Sequence, residues 1–77
     1  MTLNKLNTII DFCIENKANL ILQIDDGTLA FIDFNIDKYK DTHIDEQYNY
    51  LYYWNYMFNH WNAIHISRIN NIQIQIN

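Results

Sequence analysis

Residues 20–36, LILQIDDGTLAFIDFNI, contain the clearest structural pattern in the chain. Two segments rich in Ile, Leu and Phe, residues 20–25 and 28–36, flank the dipeptide Asp26-Gly27. Both central positions of a type I′ turn need a positive φ, which Asp-Gly adopts readily. The stretch therefore predicts a β-hairpin closed by a two-residue turn.

The same turn predicts how the two strands pair. It places Leu22 opposite Phe31 and Ile21 opposite Ile32. Both faces of this hairpin would be largely apolar, and strands of that kind are usually covered on both sides. We therefore expect the hairpin in the centre of a sheet, away from a free edge.

Before the hairpin, residues 3–17 have the periodicity of an amphipathic helix. Their apolar side chains recur at spacings of three and four and form one stripe: Leu3, Leu6, Ile10, Cys13 and Ile14. Thr2 is a suitable N-cap, because its hydroxyl can accept a hydrogen bond from a backbone N–H of the first turn. Asn16 and Asn19 disfavour a helix interior and mark the end of this helix.

A second helix is predicted from residue 43 to about residue 62, after a polar loop at residues 37–42. Thr42 followed by Asp45 approximates a capping box. At about 100° per residue, one helix face is apolar: Tyr50, Leu51, Trp54, Met57, Phe58 and Trp61. The opposite face carries Tyr and Asn without a charge: Tyr48, Asn49, Tyr52, Asn55, Tyr56 and Asn59.

The C-terminal residues alternate between Ile and polar side chains. Asn70-Asn71 suits a two-residue turn, which would pair residues 63–69 with residues 72–76 in a hairpin. A single long strand is the alternative, because five isoleucines at even positions would share one face: Ile64, Ile66, Ile72, Ile74 and Ile76. We favour the hairpin, since strands longer than about 10 residues are unusual.

The predicted order is α-β-β-α-β-β over residues 1–77, taken as one small domain. The corresponding architecture is a two-layer α+β fold, in which two helices pack on a three- or four-stranded antiparallel sheet. With 49% hydrophobic and 18% charged residues, the composition excludes a disordered chain. A length of 77 residues excludes a large enzyme with a deep cleft.

Other features limit the location and the partners of the protein. Cys13 is the lone cysteine and cannot form an intramolecular disulfide, and the N-terminus has no signal peptide, so we expect a cytoplasmic protein. No apolar run approaches the roughly 20 residues of a membrane span, so no membrane partner is expected. The net charge of −4 argues against direct nucleic-acid binding, which needs a basic face.

The acidic residues are concentrated in the middle of the chain. Seven of the nine lie between Asp25 and Glu46, whereas residues 47–77 contain one charged side chain besides histidine, Arg68. Four aspartates recur every four residues: Asp33, Asp37, Asp41 and Asp45. The segment lacks the glycine bend of an EF-hand loop, so solvated loop acids explain this spacing better than a metal site does. Clustered carboxylates can also imitate nucleic-acid phosphates and occupy a basic groove of another protein.

No catalytic, cofactor or metal site is predicted. Cys13 belongs to the apolar stripe of the first helix, where a thiol usually acts as a small hydrophobe. His60 and His65 are five residues apart and lack the spacing of a helical ligand pair, and His43 is farther away. Ser67 has no nucleophile-elbow motif around it. We therefore expect a protein that is not an enzyme.

The predicted Tyr/Asn helix face is the main candidate for a binding surface. Tyrosine supplies contact area at low entropic cost, and asparagine supplies adaptable hydrogen bonds. We expect a non-enzymatic protein-binding module that inhibits a larger nucleic-acid-handling protein with a basic groove. Its predicted contacts are Asp33, Asp37, Asp41, Asp45, Glu46, Tyr48, Asn49, Tyr52, Asn55, Tyr56 and Asn59.

In size, acidity and lack of catalytic residues, the chain is similar in type to small phage-encoded inhibitors such as anti-CRISPR proteins. Those proteins share no common fold or motif, so the resemblance transfers no residue roles to this chain. The alternative is a structural homo-oligomer, such as a homodimer. It would assemble through the Tyr/Asn helix face or through the Ile-rich C-terminal strands.

Overall fold

Among the residues that the structure describes, helical periodicity produces one α-helix, and strand alternation accounts for most of the rest. A computed structural model describes residues 2–55 and 57–76. Within these residues the elements are α1 (Leu3–Asn16), β1 (Asn19–Ile24), β2 (Leu29–Asp33), β3 (His43–Asp45), β4 (Tyr50–Asn55), β5 (His60–His65) and β6 (Ile69–Gln75). Two 3₁₀ helices, Asp37–Asp41 and Ile66–Arg68, join strands of different sheets.

The strands form two antiparallel sheets of three strands each. The first sheet has the order β2-β1-β6, and the second has the order β3-β4-β5. The predicted α+β class is therefore confirmed. The finer prediction, two helices packed on one sheet of three or four strands, is wrong because the predicted second helix is replaced by the second sheet.

One cluster of buried side chains joins α1 to both sheets. It includes Leu6, Ile10 and Cys13 from α1, Leu20, Leu22, Ile24, Ala30, Ile32 and Ile69 from the first sheet, and Leu51, Tyr53 and Ile64 from the second. Full burial of a large aliphatic or aromatic side chain stabilises a protein by roughly 1.5–3 kcal/mol. The cluster therefore holds the three elements together.

Helix α1 forms as predicted. The Thr2 Oγ1 atom accepts a hydrogen bond from the Lys5 backbone N–H at 3.2 Å. At the other end, Lys17 adopts a left-handed conformation with φ of 51°, and the Ala18 N–H donates to the Cys13 carbonyl at 3.0 Å. These local contacts end the helix and turn the chain into β1.

Strands β1 and β2 form the predicted hairpin, but their register differs from the prediction by one residue. Leu22 lies opposite Ala30, and Ile21 lies opposite Phe31. The predicted pairs of Leu22 with Phe31 and Ile21 with Ile32 are wrong. Since a slip of one residue moves every side chain to the other face, the observed register is the one that buries Leu22, Ala30 and Ile32 together.

The register follows from the length of the turn. The connection contains three residues, 25–27, because the Ile24 N–H donates to the Thr28 carbonyl at 2.8 Å. The Gly27 N–H donates to the Ile24 carbonyl at 3.0 Å, and Gly27 has φ of 87°. This hairpin lies only partly in the centre of its sheet, because β1 is central and β2 is an edge strand.

The prediction of a helix over residues 43–62 is wrong: the described residues of this range form strands and turns, because Asp45 stabilises a single turn in place of a helix N-terminus. The Asp45 Oδ1 atom accepts hydrogen bonds from the backbone N–H groups of Gln47 at 3.0 Å and Tyr48 at 3.4 Å. Asn49 then adopts φ of 60°, and Asn59 has φ of 57° before β5. Asparagine tolerates this left-handed conformation, so both positions favour hairpin turns over a continuing helix.

Both interpretations of the C-terminal residues are wrong. The 3₁₀ helix Ile66–Arg68 interrupts the chain, and Asn70 and Asn71 lie inside β6. Strand β6 pairs with β1, placing Ile72 opposite Leu22. Pairing with β1 gives β6 a partner along most of its length, whereas a local hairpin would leave one side of β1 without a strand.

We expect Gly27→Ala to lower the free energy of unfolding by about 1–2 kcal/mol, because a Cβ atom makes the left-handed backbone conformation unfavourable. No atom lies within 4 Å of the position that this Cβ would occupy, so the loss measures backbone strain without a clash. Urea unfolding of both proteins gives the difference. Gly27→Asn is the control and should lose less stability; equal losses from both substitutions would contradict the explanation.

Candidate functional site

Several of the predicted acidic contacts stabilise the fold locally. The Asp33 Oδ1 atom accepts a hydrogen bond from the Asn35 N–H at 3.0 Å. The Glu46 Oε1 atom accepts one from the Asn7 side-chain amide at 3.3 Å, which connects the β3–β4 turn to α1. With Asp45 in the turn described above, these three carboxylates have structural partners within the chain.

Other carboxylates belong to ion pairs. The Asp37 Oδ1 atom lies 2.9 Å from the Lys40 Nζ atom, and the hydrogen bond and charge of Lys40 lower the pKa of Asp37. Arg68 lies 3.1 Å from Asp25 and 3.5 Å from Asp26. Apart from Asp41, the carboxylates of the acidic segment therefore have partners among the described residues of the chain, and they do not form one continuous row of unpaired groups.

The predicted Tyr/Asn face is not one surface, since the helix that would carry it is absent. Its members are distributed over β4 and its two turns: Tyr52 within the strand, Tyr48 and Asn49 in the preceding turn, and Asn55 and Asn59 on either side of the following turn. Tyr56 lies outside the described residues. The Asn55 Oδ1 atom accepts a hydrogen bond from the Phe58 N–H at 3.2 Å, so Asn55 helps to form the turn.

Strand alternation brings a different set of aromatic rings together on the outer side of the second sheet. Leu51, Tyr53 and Ile64 are buried in the core, so the residues adjacent to them on each strand point outward. We call the resulting surface the aromatic face. It consists of His43, Tyr50, Tyr52, Trp54, Trp61 and His65.

The rings of the aromatic face contact one another across the strands. Trp54 lies opposite Trp61, with ring centroids 5.6 Å apart and an interplanar angle of 79°. His43 stacks on Tyr52 with centroids 5.4 Å apart. Tyr50 remains 37% exposed and Trp61 39% exposed. The surface is therefore an ordered aromatic cluster that is partly exposed: Tyr52, Trp54 and His65 are half-buried, and Trp54 also packs against the core.

A lysine from the neighbouring 3₁₀ helix lies against this cluster. The Lys38 Nζ atom is 4.6 Å from the ring centroid of Trp54 and 5.8 Å from that of Trp61. These distances are within the range of cation–π attraction. Tyr39, the next residue, is buried in the core and positions the 3₁₀ helix beside the aromatic face.

Acidic residues border the same surface. Asp37 and Asp41 lie at the two ends of the 3₁₀ helix, which carries Lys38 and Lys40 between them. Asp45 lies opposite Tyr50 at the end of β3. The surface thus combines an apolar aromatic centre with carboxylates at its border.

Only Tyr52 of the aromatic face belongs to the contacts predicted from the sequence. Tyr50, Trp54 and Trp61 lie on the apolar side of the predicted helix, opposite the predicted binding face. The available indication was the period-two spacing of Tyr50, Tyr52 and Trp54, which is typical of one face of a strand. No sequence pattern indicates that Lys38 contacts the tryptophan rings, since this contact depends on packing between elements that are distant in sequence.

Across residues 2–55 and 57–76, no three His, Cys, Asp or Glu side chains lie close enough together to hold a metal ion. No helix in this part of the chain has the length and apolar character needed to cross a membrane.

We expect Cys13 to resist alkylation in the native protein. Its side chain is fully buried beside Leu6 and Ile10 in the core cluster, and burial raises the pKa of its thiol, which disfavours the reactive thiolate. Mass spectrometry after treatment with iodoacetamide should show little modification in buffer and complete modification in concentrated urea. Rapid labelling of the native protein would contradict the buried position.

The chain matches no protein-family model, no curated protein and no solved structure. Its function is therefore inferred from the side chains of the aromatic face and their surroundings.

Proposed function

We propose that the protein is a non-enzymatic binding module that covers the basic nucleic-acid-binding surface of a larger protein and thereby inhibits it. The observation that supports this proposal is the aromatic face, where Tyr50 and Trp61 are more than a third exposed in a closely packed ring cluster. Tyrosine and tryptophan are enriched among the residues that contribute most to protein–protein binding. Covering these rings would remove a large apolar area from water.

The charge of the module favours a basic partner surface. The chain carries a net charge of −4, and Asp37, Asp41 and Asp45 border the aromatic face. Complementary charge accelerates association and selects partners, and a surface that binds nucleic acid is basic. An acidic border around an aromatic centre would therefore compete with nucleic acid for such a surface.

We expect Trp61→Ala to weaken partner binding by roughly 30-fold or more, the effect of losing a hot-spot aromatic of about 2 kcal/mol. The partner would be captured from source cells, identified by mass spectrometry, purified, and titrated by calorimetry. Phe12→Ala is the matched control, because Phe12 is an aromatic residue with similar exposure, 41%, on α1. Equal effects from the two substitutions, with both proteins folded, would contradict a role for the aromatic face.

The acidic border is tested by charge reversal. We expect the double substitution Asp37→Lys and Asp41→Lys to weaken binding and to reduce its dependence on salt, since surface charge pairs are screened by ions. The control reverses Asp11 and Glu15, two exposed acids of α1, and gives the same net charge. Unchanged affinity of the first variant would contradict the electrostatic part of the proposal, as would failure of the wild-type module to displace nucleic acid from its partner.

Self-association is a second candidate function, favoured by a different surface. Strand β2 is an edge strand of the first sheet, and its Phe31 is 60% exposed. Phe31 lines a groove of about 560 Å³ together with Leu29, Met57 and Phe58. An edge strand with apolar side chains can pair with the same strand of a second copy. This route replaces the predicted Tyr/Asn helix face, whereas the predicted route through the Ile-rich C-terminal strands corresponds to β6, the other edge strand of this sheet.

Light scattering at micromolar concentrations separates the two candidates. If β2 pairs with a second copy, the wild-type chain should have the mass of a dimer and Phe31→Lys that of a monomer, because a buried lysine charge would oppose the interface. Trp61→Ala serves as the control and should remain dimeric. A wild-type protein that is monomeric at these concentrations would exclude the homodimer.

A further inference from the structure

The ring pair Trp54 and Trp61 is in contact with a cation that the chain itself supplies. The Lys38 ammonium group lies 4.6 Å from one ring centroid and 5.8 Å from the other. The two indoles are nearly perpendicular, at 79°, with centroids 5.6 Å apart. One positive group is therefore within reach of two π systems at the same time.

The Lys38 ammonium group contacts the tryptophan rings, although carboxylates are close to Lys38 in sequence. Asp37 precedes it directly, yet the Asp37 carboxylate pairs with Lys40 at 2.9 Å. The ion pairs found among the described residues involve Lys40 and Arg68 and do not include Lys38. The position of the ammonium group is thus explained by its attraction to the rings.

We propose that the Trp54–Trp61 pair is a binding site for an arginine side chain of the partner protein, and that Lys38 occupies this site in the free protein. This inference rests on the proposed function, because it names the partner group that the aromatic face recognises. Lys38 is exposed on its 3₁₀ helix, and a long lysine side chain has many alternative rotamers. It can therefore leave the rings without disturbing the core.

Arginine fits this site better than another lysine does. The guanidinium group is planar and weakly hydrated, so it stacks on an indole ring and loses little hydration in doing so. Arginine is also abundant on surfaces that contact nucleic-acid phosphates, the surfaces that the proposed function covers. Asp41, on the same 3₁₀ helix as Lys38, provides a carboxylate that is not paired with Lys40 and favours an incoming cation.

The test uses N-acetyl-arginine amide as the probe and the indole N–H signals of the two tryptophans as the readout in NMR titrations. Lys38→Met removes the internal cation and keeps a flexible side chain in its place. We expect this variant to bind the probe roughly five-fold more tightly than the wild type, the scale of one cation–π contact. Saturating shifts should occur at both indole N–H groups.

Lys5→Met is the matched control, because it changes the net charge by the same amount on α1 and leaves both the Asp37–Lys40 pair and the position of Lys38 unchanged. We expect it to bind the probe as the wild type does. Equal strengthening by both variants would show a general charge effect and would overturn the proposal. Binding of the neutral analogue N-acetyl-citrulline amide as tightly as the arginine probe would overturn it as well.

A second variant pair keeps the test informative if one substitution impairs folding. Adding Trp61→Leu to Lys38→Met should abolish the gain in probe affinity, whereas adding Phe12→Ala should preserve it. Amide spectra and thermal unfolding check that each variant is folded. Retention of the gain without the Trp61 ring would contradict a site formed by both indoles.

The outcome for this site is distinguishable from the outcome for the proposed function. If Trp61→Ala abolishes partner capture but Lys38→Met shows no gain for the arginine probe, the aromatic face binds the partner without an arginine subsite. If the probe result is as expected while partner capture is insensitive to Trp61→Ala, the arginine site exists but the proposed partner interface is wrong.

Discussion

The core shared by α1 and both sheets determines where every other side chain can lie. Each sheet has one face against this core, so alternate residues on each strand must point to solvent. In β4, burial of Leu51 and Tyr53 places Tyr52 and Trp54 on the other side of the strand, where both are half-buried and Trp54 also packs against the core. A slip of one residue would bury Tyr52 and expose Leu51, at a cost in apolar burial that the small core could not tolerate.

The turns determine the strand register that satisfies this constraint. Gly27, Asn49 and Asn59 all have positive φ and lie at the ends of the turns that close three hairpins. The geometry of each turn determines which residues of its two strands face one another. The ring pair of Trp54 and Trp61 is one such cross-strand pair, so the binding surface depends on turn residues that take no part in binding.

The aromatic face combines two properties that usually conflict. Exposed aromatic clusters promote binding but also nonspecific association. Here Lys38 places a hydrated charge over the two indoles, and acids border the surface, so the rings remain accessible while the free protein is kept polar. The edge strand β2 exposes Phe31 without a cation from the described residues over its ring, and one carboxylate, Asp33, lies on the same side of the strand, so self-association is the competing use of the molecule.

Local chemistry in the sequence determined helix α1, because its apolar spacing and its Thr2 cap act within a few residues of one another. It also located the first hairpin turn. Two-residue and three-residue turns both suit Asp26-Gly27, and the need to bury the apolar side of each strand selects the three-residue turn. Over residues 43–62 the aromatic positions satisfy helical and strand periods alike. Packing against the core is what selects strands in this range. The pairing of β6 with β1 joins residues about 50 positions apart in sequence, so no local sequence pattern predicts it.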